Sequence, residues 1–142
     1  MSFNRVIFVC EDGTSIGPMA KAIFQRENTK IRSECRGIVA LFPEPVNPKV
    51  VAVLKCNNLE LDVETSLPLK EEDFEKNTLV LAMTKEQKEK IYENFPSAQN
   101  VYTLKEFAGE SGDVINPYGE PLTGYGACYE ELNRLIKKIL SY

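Results

Sequence analysis

The sequence predicts a three-layer α/β fold in which a four-stranded parallel sheet is flanked by helices. Short, almost wholly apolar runs recur along the chain, as in strands buried on both faces of a parallel sheet. These runs alternate with segments whose apolar residues repeat at helical spacing, and such alternation implies parallel crossover connections. With 142 residues the chain is long enough to bury one core, so we expect a single domain over residues 1–142.

The first half of the chain predicts two strands and two helices. Residues 6–9 form the first strand, and the helix that follows begins at Pro18, because proline suits the first turn of a helix. Residues 31–35 alternate weakly between apolar and polar and predict the second strand. The second helix extends over residues 47–57, with asparagine as its N-cap and proline as its first residue.

The second half continues the alternation of strands and helices. Residues 78–83 predict the third strand, and the threonine and glutamine of residues 84–87 form a capping box that begins the next helix. Residues 101–104 predict the fourth strand. Residues 109–124 are rich in glycine and proline and predict a long loop. A final amphipathic helix follows from Tyr125.

The composition argues against several classes of function. The 17 Lys+Arg and 21 Asp+Glu leave a net charge of −4, and no basic cluster exceeds Lys137–Lys138, so a nucleic acid partner is not expected. No apolar run approaches the roughly 20 residues that span a membrane, and residues 1–5 lead into a strand without a secretory signal. Because the chain has no histidine, histidine-dependent catalysis and most zinc sites are excluded. We expect neither a metal nor a cofactor.

The cysteines point to a reducing compartment. Four are present at irregular spacing and without a Cys-x-x-Cys pair: Cys10, Cys35, Cys56 and Cys128. This pattern favours free thiols over a disulfide framework. We therefore expect a cytoplasmic protein.

Residues 9–18, Val-Cys-Glu-Asp-Gly-Thr-Ser-Ile-Gly-Pro, hold the candidate site. A cysteine at the carboxyl end of a strand, followed by a short loop and a helix, directs a thiolate at an anion. Backbone N–H groups and the positive end of the helix dipole bind that anion. Ligands of such sheets bind at the carboxyl ends of the strands. We predict Cys10 as the nucleophile position and, as the anion-binding loop, Glu11, Asp12, Gly13, Thr14, Ser15, Ile16 and Gly17.

Several segments share their order and spacing with a known family. They are Val9–Cys10, Pro18–Phe24, Glu44–Lys49, Leu79–Thr84, Asn116–Gly119 and Tyr129–Leu132. Over nearly its whole length the chain resembles the low-molecular-weight protein tyrosine phosphatases, small cytosolic proteins of flavodoxin-like fold. These are related in fold to some thiol arsenate reductases.

The resemblance implies a role for each loop position, and the chain departs from the family at several of them. In the family, the nucleophilic cysteine precedes five residues, an arginine that clamps the phosphoryl oxygens, and a serine. An aspartate in an Asp-Pro-Tyr segment protonates the leaving phenol. Here Cys10 is kept, whereas Ile16 occupies the arginine position and Gly17 the serine position. Asn116 occupies the general-acid position, and only Pro117–Tyr118 match.

These departures predict weak catalysis. Ile16 cannot donate the charged hydrogen bonds that stabilise a transferring phosphoryl group, and loss of a comparable arginine costs about 10³–10⁵ in rate. Asn116 has no titratable proton, so the chain lacks the general acid, which contributes roughly 10²–10⁴-fold to the rate. Glu11 and Asp12 place negative charge where a dianion would bind, and they would raise the pKa of Cys10 if they point inward.

Three functions stay open on this basis. The preferred one is a pseudophosphatase that acts by binding a protein partner or a phosphate-like anion at the loop. The second is a weak Cys10-dependent phosphatase acting on phosphotyrosine or aryl phosphates. The third is a thiol redox or arsenate-reductase-like role. That role needs a resolving cysteine, but Ser15 replaces the one that many family members carry in the loop, and the sequence brings no other cysteine near Cys10.

The sequence also predicts how the loop is lined. Tyr118 holds the family position of an aromatic wall, and it either stacks on a ligand or packs on the rim. Phe42 is expected in the core or at the rim of the same cleft. The loop either binds an external anion or is occupied by its own Asp12 carboxylate. The second is favoured, because an internal group loses no translational entropy on binding.

Overall fold

The structure, a computed structural model, describes residues 2–39, 42–61 and 65–141. Its strands and helices are β1 (Arg5–Cys10), α1 (Ile16–Glu27), β2 (Arg32–Gly37), α2 (Pro48–Cys56), β3 (Thr78–Ala82), α3 (Lys85–Asn94), β4 (Val101–Thr103), α4 (Leu104–Phe107) and α5 (Leu122–Leu140). A 3₁₀ turn at Glu71–Asp73 precedes β3.

The strands form one four-stranded parallel sheet in the order β2-β1-β3-β4. Every residue of β1 and β3 is buried, as expected of central strands covered on both faces. Helices α1, α2 and α5 pack on one face, and α3 packs on the other. The predicted three-layer α/β fold is confirmed.

Side chains of β1 alternate between the two faces of the sheet. Phe8 and Cys10 belong to the larger core beneath α1 and α5, whereas Ile7 and Val9 belong to the smaller core beneath α3. Cys10 therefore lies where the carboxyl end of the sheet meets the N-terminus of α1, and this position creates the candidate site.

Two predicted helix starts are confirmed by their capping bonds. Asn47 accepts a hydrogen bond from the backbone N–H of Lys49 at 2.9 Å at the start of α2. Thr84 and Gln87 form the expected reciprocal capping box at the start of α3. Both caps depend only on neighbouring residues, which is why the sequence reveals them.

Other predicted boundaries were wrong. Helix α1 begins at Ile16 instead of Pro18, and α5 begins at Leu122, inside the predicted loop. Strand β4 ends at Thr103, because Thr103 and Glu106 form a capping box that turns the chain into α4. The Thr-x-x-Glu spacing is the sequence signal that could have identified this helix.

Within the part of the chain that the structure describes, no helix combines the length and the apolar character needed to cross a membrane.

Candidate functional site

Cys10 ends β1, and only 2% of its surface is exposed. Burial raises the pKa of its thiol above the ordinary value. The backbone N–H groups of Gly17, Gly13 and Ser15 donate to its sulfur and oppose this rise, whereas the nearby Asp12 carboxylate adds to it. The raised pKa favours the thiol form, which is a weaker nucleophile than a thiolate.

The Asp12 carboxylate accepts two hydrogen bonds within the loop, as the sequence led us to expect. Its Oδ1 accepts from the backbone N–H of Thr14 at 3.0 Å and from the Thr14 hydroxyl at 2.8 Å. Glu11, the other acidic residue of the loop, pairs with Lys90 of α3 at 3.5 Å. It is not among the groups that change the pKa of Cys10. Only one of the two carboxylates therefore acts on the thiol.

Ile16 is the first residue of α1, and 1% of its surface is exposed. Its side chain belongs to the larger core, together with Met19 and Ala20. Although the sequence placed Ile16 among the binding residues of the loop, its side chain is buried in the core and presents no surface to a ligand. The physical reason is that transfer of an apolar side chain from water into the core is favourable.

Gly17 stands between two thiol-bearing residues. A Cβ built on Gly17 would lie 3.1 Å from the Cys10 sulfur and 3.3 Å from the Cβ of Cys35. The sequence analysis did not bring Cys35 near Cys10. The pairing register of β1 and β2 brings these two residues close, because Cys35 pairs with Phe8, which lies two residues before Cys10 on the same face of β1.

Asn116 lies against the loop even though 101 residues separate it from Ser15. Its side-chain oxygen accepts from the Ser15 hydroxyl at 3.2 Å and from the backbone N–H of Tyr118 at 3.1 Å. Two predicted site positions are thus brought together. Ser15 does not cap α1, because its hydroxyl is directed to Asn116.

The two predicted aromatic residues are both exposed, in segments connected to the loop. Tyr118, 81% exposed, is held through Asn116. Phe42, 69% exposed, is at the rim and not in the core; its carbonyl accepts from the Ser66 hydroxyl at 3.4 Å. A Cβ on Gly13 would lie 3.2 Å from the Cβ of Ser66, which places the Phe42 segment against the loop.

No group of three or more histidine, cysteine or carboxylate side chains that could hold a metal occurs in residues 2–39, 42–61 and 65–141. None of the four cysteines, all of which lie in the described ranges, forms a disulfide bond.

The sequence model for low molecular weight phosphotyrosine protein phosphatases matches residues 5–142. The chain belongs to this family. It is 34% identical over 138 residues to a protein-arginine-phosphatase of Geobacillus stearothermophilus, covering 95% of this chain and 93% of that protein. It is 33% identical over 135 residues to the low molecular weight protein-tyrosine-phosphatase PtpB of Staphylococcus aureus, covering 95% and 96%.

Solved structures agree with this assignment. The crystal structure of the low molecular weight protein tyrosine phosphatase from T. tengcongensis superposes with a TM-score of 0.91 at 35% identity, covering 96% of this chain and 97% of that chain. These relatives are named as phosphatases.

Proposed function

We propose that this chain is a catalytically impaired member of the low-molecular-weight phosphatase family, a pseudophosphatase that acts by binding at the Cys10 loop. The observation that carries this proposal is the burial of Ile16. Its position is the one from which a guanidinium would clamp a phosphoryl group, but the side chain is apolar and 1% exposed. Phosphoryl transfer depends on positioning and charge stabilisation, and this position supplies neither.

The electrostatics of the loop support the same proposal. A phosphate monoester carries up to two negative charges, and residues 10–17 offer it two carboxylates and no lysine or arginine. Asp12 also accepts the Thr14 N–H, a donor that an anion in the loop would otherwise use. The raised pKa of Cys10 weakens the nucleophile as well.

A weak Cys10-dependent phosphatase is the second candidate, and one observation favours it. Three backbone N–H groups, from Gly13, Ser15 and Gly17, still converge on the Cys10 sulfur. This arrangement stabilises a thiolate without any charged side chain. Activated aryl phosphates would be its substrates, because a good leaving group reduces the need for a general acid.

Turnover of p-nitrophenyl phosphate at high enzyme concentration separates the two candidates. The wild-type chain is compared with Cys10→Ser and with the double variant Ile16→Arg, Asn116→Asp. We expect the wild-type chain to hydrolyse the substrate no faster than the Cys10→Ser variant does. We expect the double variant to recover at least about 10³-fold of rate, the lower end of what an arginine contributes to phosphoryl transfer.

Because Ile16 is buried, the double variant needs a matched control. Ile16→Gln with Asn116→Asp places an uncharged polar group in the same core position, and thermal unfolding verifies that both variants fold. If turnover increases much more in the arginine variant than in the glutamine variant, the missing charge at position 16 accounts for the loss of activity. Cys10-dependent turnover by the wild-type chain would overturn the proposal in favour of the weak phosphatase.

A further inference from the structure

Exposed apolar side chains lie on the segments that adjoin the Cys10 loop, and together they form a candidate surface. We call it the loop rim and define it as five side chains that are each between 47% and 81% exposed: Val39, Phe42, Leu67, Ile115 and Tyr118. Of the large apolar side chains that are exposed in the described residues, only Tyr92, Tyr102 and Leu122 lie outside this set. Clustering of exposed apolar side chains around one loop marks an interaction surface.

Backbone hydrogen bonds connect one side of the rim to the loop. The N–H of Val39 donates to the Glu11 carbonyl at 2.8 Å. The N–H of Gly37 donates to the Leu67 carbonyl at 2.9 Å, and a Cβ on Gly37 would touch the Asp12 backbone. This side of the rim is therefore held in place by the sheet edge and the loop.

Asn116 connects a second part of the rim to the loop, because its side-chain oxygen accepts hydrogen bonds from the Ser15 hydroxyl and from the Tyr118 N–H. Tyr118 is thereby connected to the loop, and Ile115 directly precedes Asn116 in the chain. The two aromatic rings, Phe42 and Tyr118, are the most exposed aromatic side chains of the described chain.

The charged side chains that belong to this surface are acidic. The segments that build the loop and the rim, residues 10–17, 38–39, 42–47, 65–69 and 115–120, contain no lysine or arginine. They contain four carboxylates, which are Glu11, Asp12, Glu44 and Glu120. Two lysines reach these segments from outside: Lys90 pairs with Glu11 at 3.5 Å, and Lys49 donates to the Glu120 carbonyl at 2.6 Å.

We propose that the loop rim binds a partner protein through a basic side chain, which pairs with the carboxylate of Asp12. The inference rests on the proposed function, because a chain that still bound and hydrolysed phosphate esters would need the opposite charge. A guanidinium fits this surface best. It stacks on aromatic faces and donates hydrogen bonds to carboxylate oxygens, and Asp12 Oδ2 has no hydrogen-bond partner among the described residues.

Peptide titrations followed by amide NMR test this assignment. The probe is acetyl-Ala-Arg-Ala-amide, and the matched control contains citrulline, which has nearly the same shape without the charge. Phenyl phosphate serves as the anionic probe. We expect the arginine peptide to shift the amide signals of Gly13, Ser15 and Tyr118, and to bind about two- to fivefold more tightly than the citrulline peptide, an advantage that declines with salt.

Two substitutions locate the binding. Asp12→Asn keeps the acceptor for the Thr14 N–H and removes only the charge, and we expect it to abolish the advantage of arginine over citrulline. Tyr118→Ala should weaken arginine binding about two- to fivefold, as expected for an exposed cation–π contact. Tyr102→Ala is the matched aromatic control, since Tyr102 lies on β4 away from the loop, and it should leave binding unchanged.

Each outcome decides the inference. Equal binding of the two peptides, no binding of either, or preferred binding of phenyl phosphate would overturn it. Turnover of p-nitrophenyl phosphate, measured on the same sample, reports separately on the proposed function. If the chain neither hydrolyses p-nitrophenyl phosphate nor prefers the arginine peptide, only the proposal of a basic partner is refuted. If the chain hydrolyses p-nitrophenyl phosphate, the pseudophosphatase proposal itself is refuted.

Discussion

At the residue scale, Gly37 allows the Cys10 loop to lie directly on strand β2. A Cβ at this position would lie 2.5 Å from the carbonyl carbon of Asp12, 2.6 Å from its oxygen and 2.8 Å from the nitrogen of Gly13. These neighbours are backbone atoms, which cannot rotate away as a flexible side chain can. The close approach of Gly37 therefore helps to determine the shape of the loop.

We expect Gly37→Ala to lower the free energy of unfolding by about 1–3 kcal/mol, because the added methyl group overpacks the contact between β2 and the loop. Gly126→Ala is the matched control. It lies within α5, where a Cβ meets no atom within 4 Å, and should raise stability by about 0.5–1 kcal/mol. Urea unfolding measures both, and equal effects would refute the role given to Gly37.

At the element scale, Asn47 joins helix α2 to the loop and to α5. Its backbone N–H donates to the Thr14 carbonyl at 2.9 Å, and its side-chain oxygen caps α2 through the Lys49 N–H. Its side-chain nitrogen donates to the Tyr125 hydroxyl at 3.1 Å. One side chain therefore serves both the helix start and the packing of α5 behind the loop.

Replacing Asn47 with alanine should lower the free energy of unfolding by about 1–2 kcal/mol, the usual effect of losing an N-cap. Asn47→Asp keeps the capping oxygen and favours the helix dipole, so it should recover most of this loss. Thermal unfolding of both variants provides the measurement. If aspartate proved as damaging as alanine, the bond to Tyr125 and not the cap would account for the role of Asn47.

At the scale of the whole molecule, an ion cluster ties the turn before β3 to strands β1 and β2. Arg5 bonds to both Glu34 and Asp73, and Arg36 reaches the same two carboxylates at 3.4 and 3.5 Å. Burial of Glu34 disfavours its charged form. The hydrogen bond from Arg5 and the charges of Arg36, Arg5 and Arg32 outweigh this, so the pKa of Glu34 lies below its usual value.

This lowered pKa predicts how stability depends on pH. A carboxylate whose folded-state pKa is depressed stabilises the fold above its unfolded pKa, about 4.3 for glutamate. The stabilisation is lost as the pH falls through the lower folded-state value. We expect wild type to exceed Glu34→Gln in unfolding free energy by a constant amount from neutral pH down to about pH 5, and by less below about pH 4. Denaturant unfolding across this range provides the measurement, and a difference independent of pH would contradict the assignment.

Local patterns account for the part of the fold that the sequence determined. Apolar runs and helical spacing identify the strands and most helices, and the caps at Asn47 and Thr84 involve residues within four positions of each other. The position of Cys10 at a strand end follows from the same local patterns. The family resemblance added the expected roles of Ile16 and Asn116, because its motifs keep their order and spacing.

The tertiary structure decided which side chains meet at the site. Ser15 and Asn116 are 101 residues apart and share a hydrogen bond. Cys35 lies beside Gly17 only because β1 and β2 pair in one particular register. Ile16 is buried because α1 begins there and packs on the sheet. Such contacts depend on the relative placement of distant elements, for which a pattern of neighbouring residues carries no signal, whereas strand, helix and cap formation depend on residues close together in the chain.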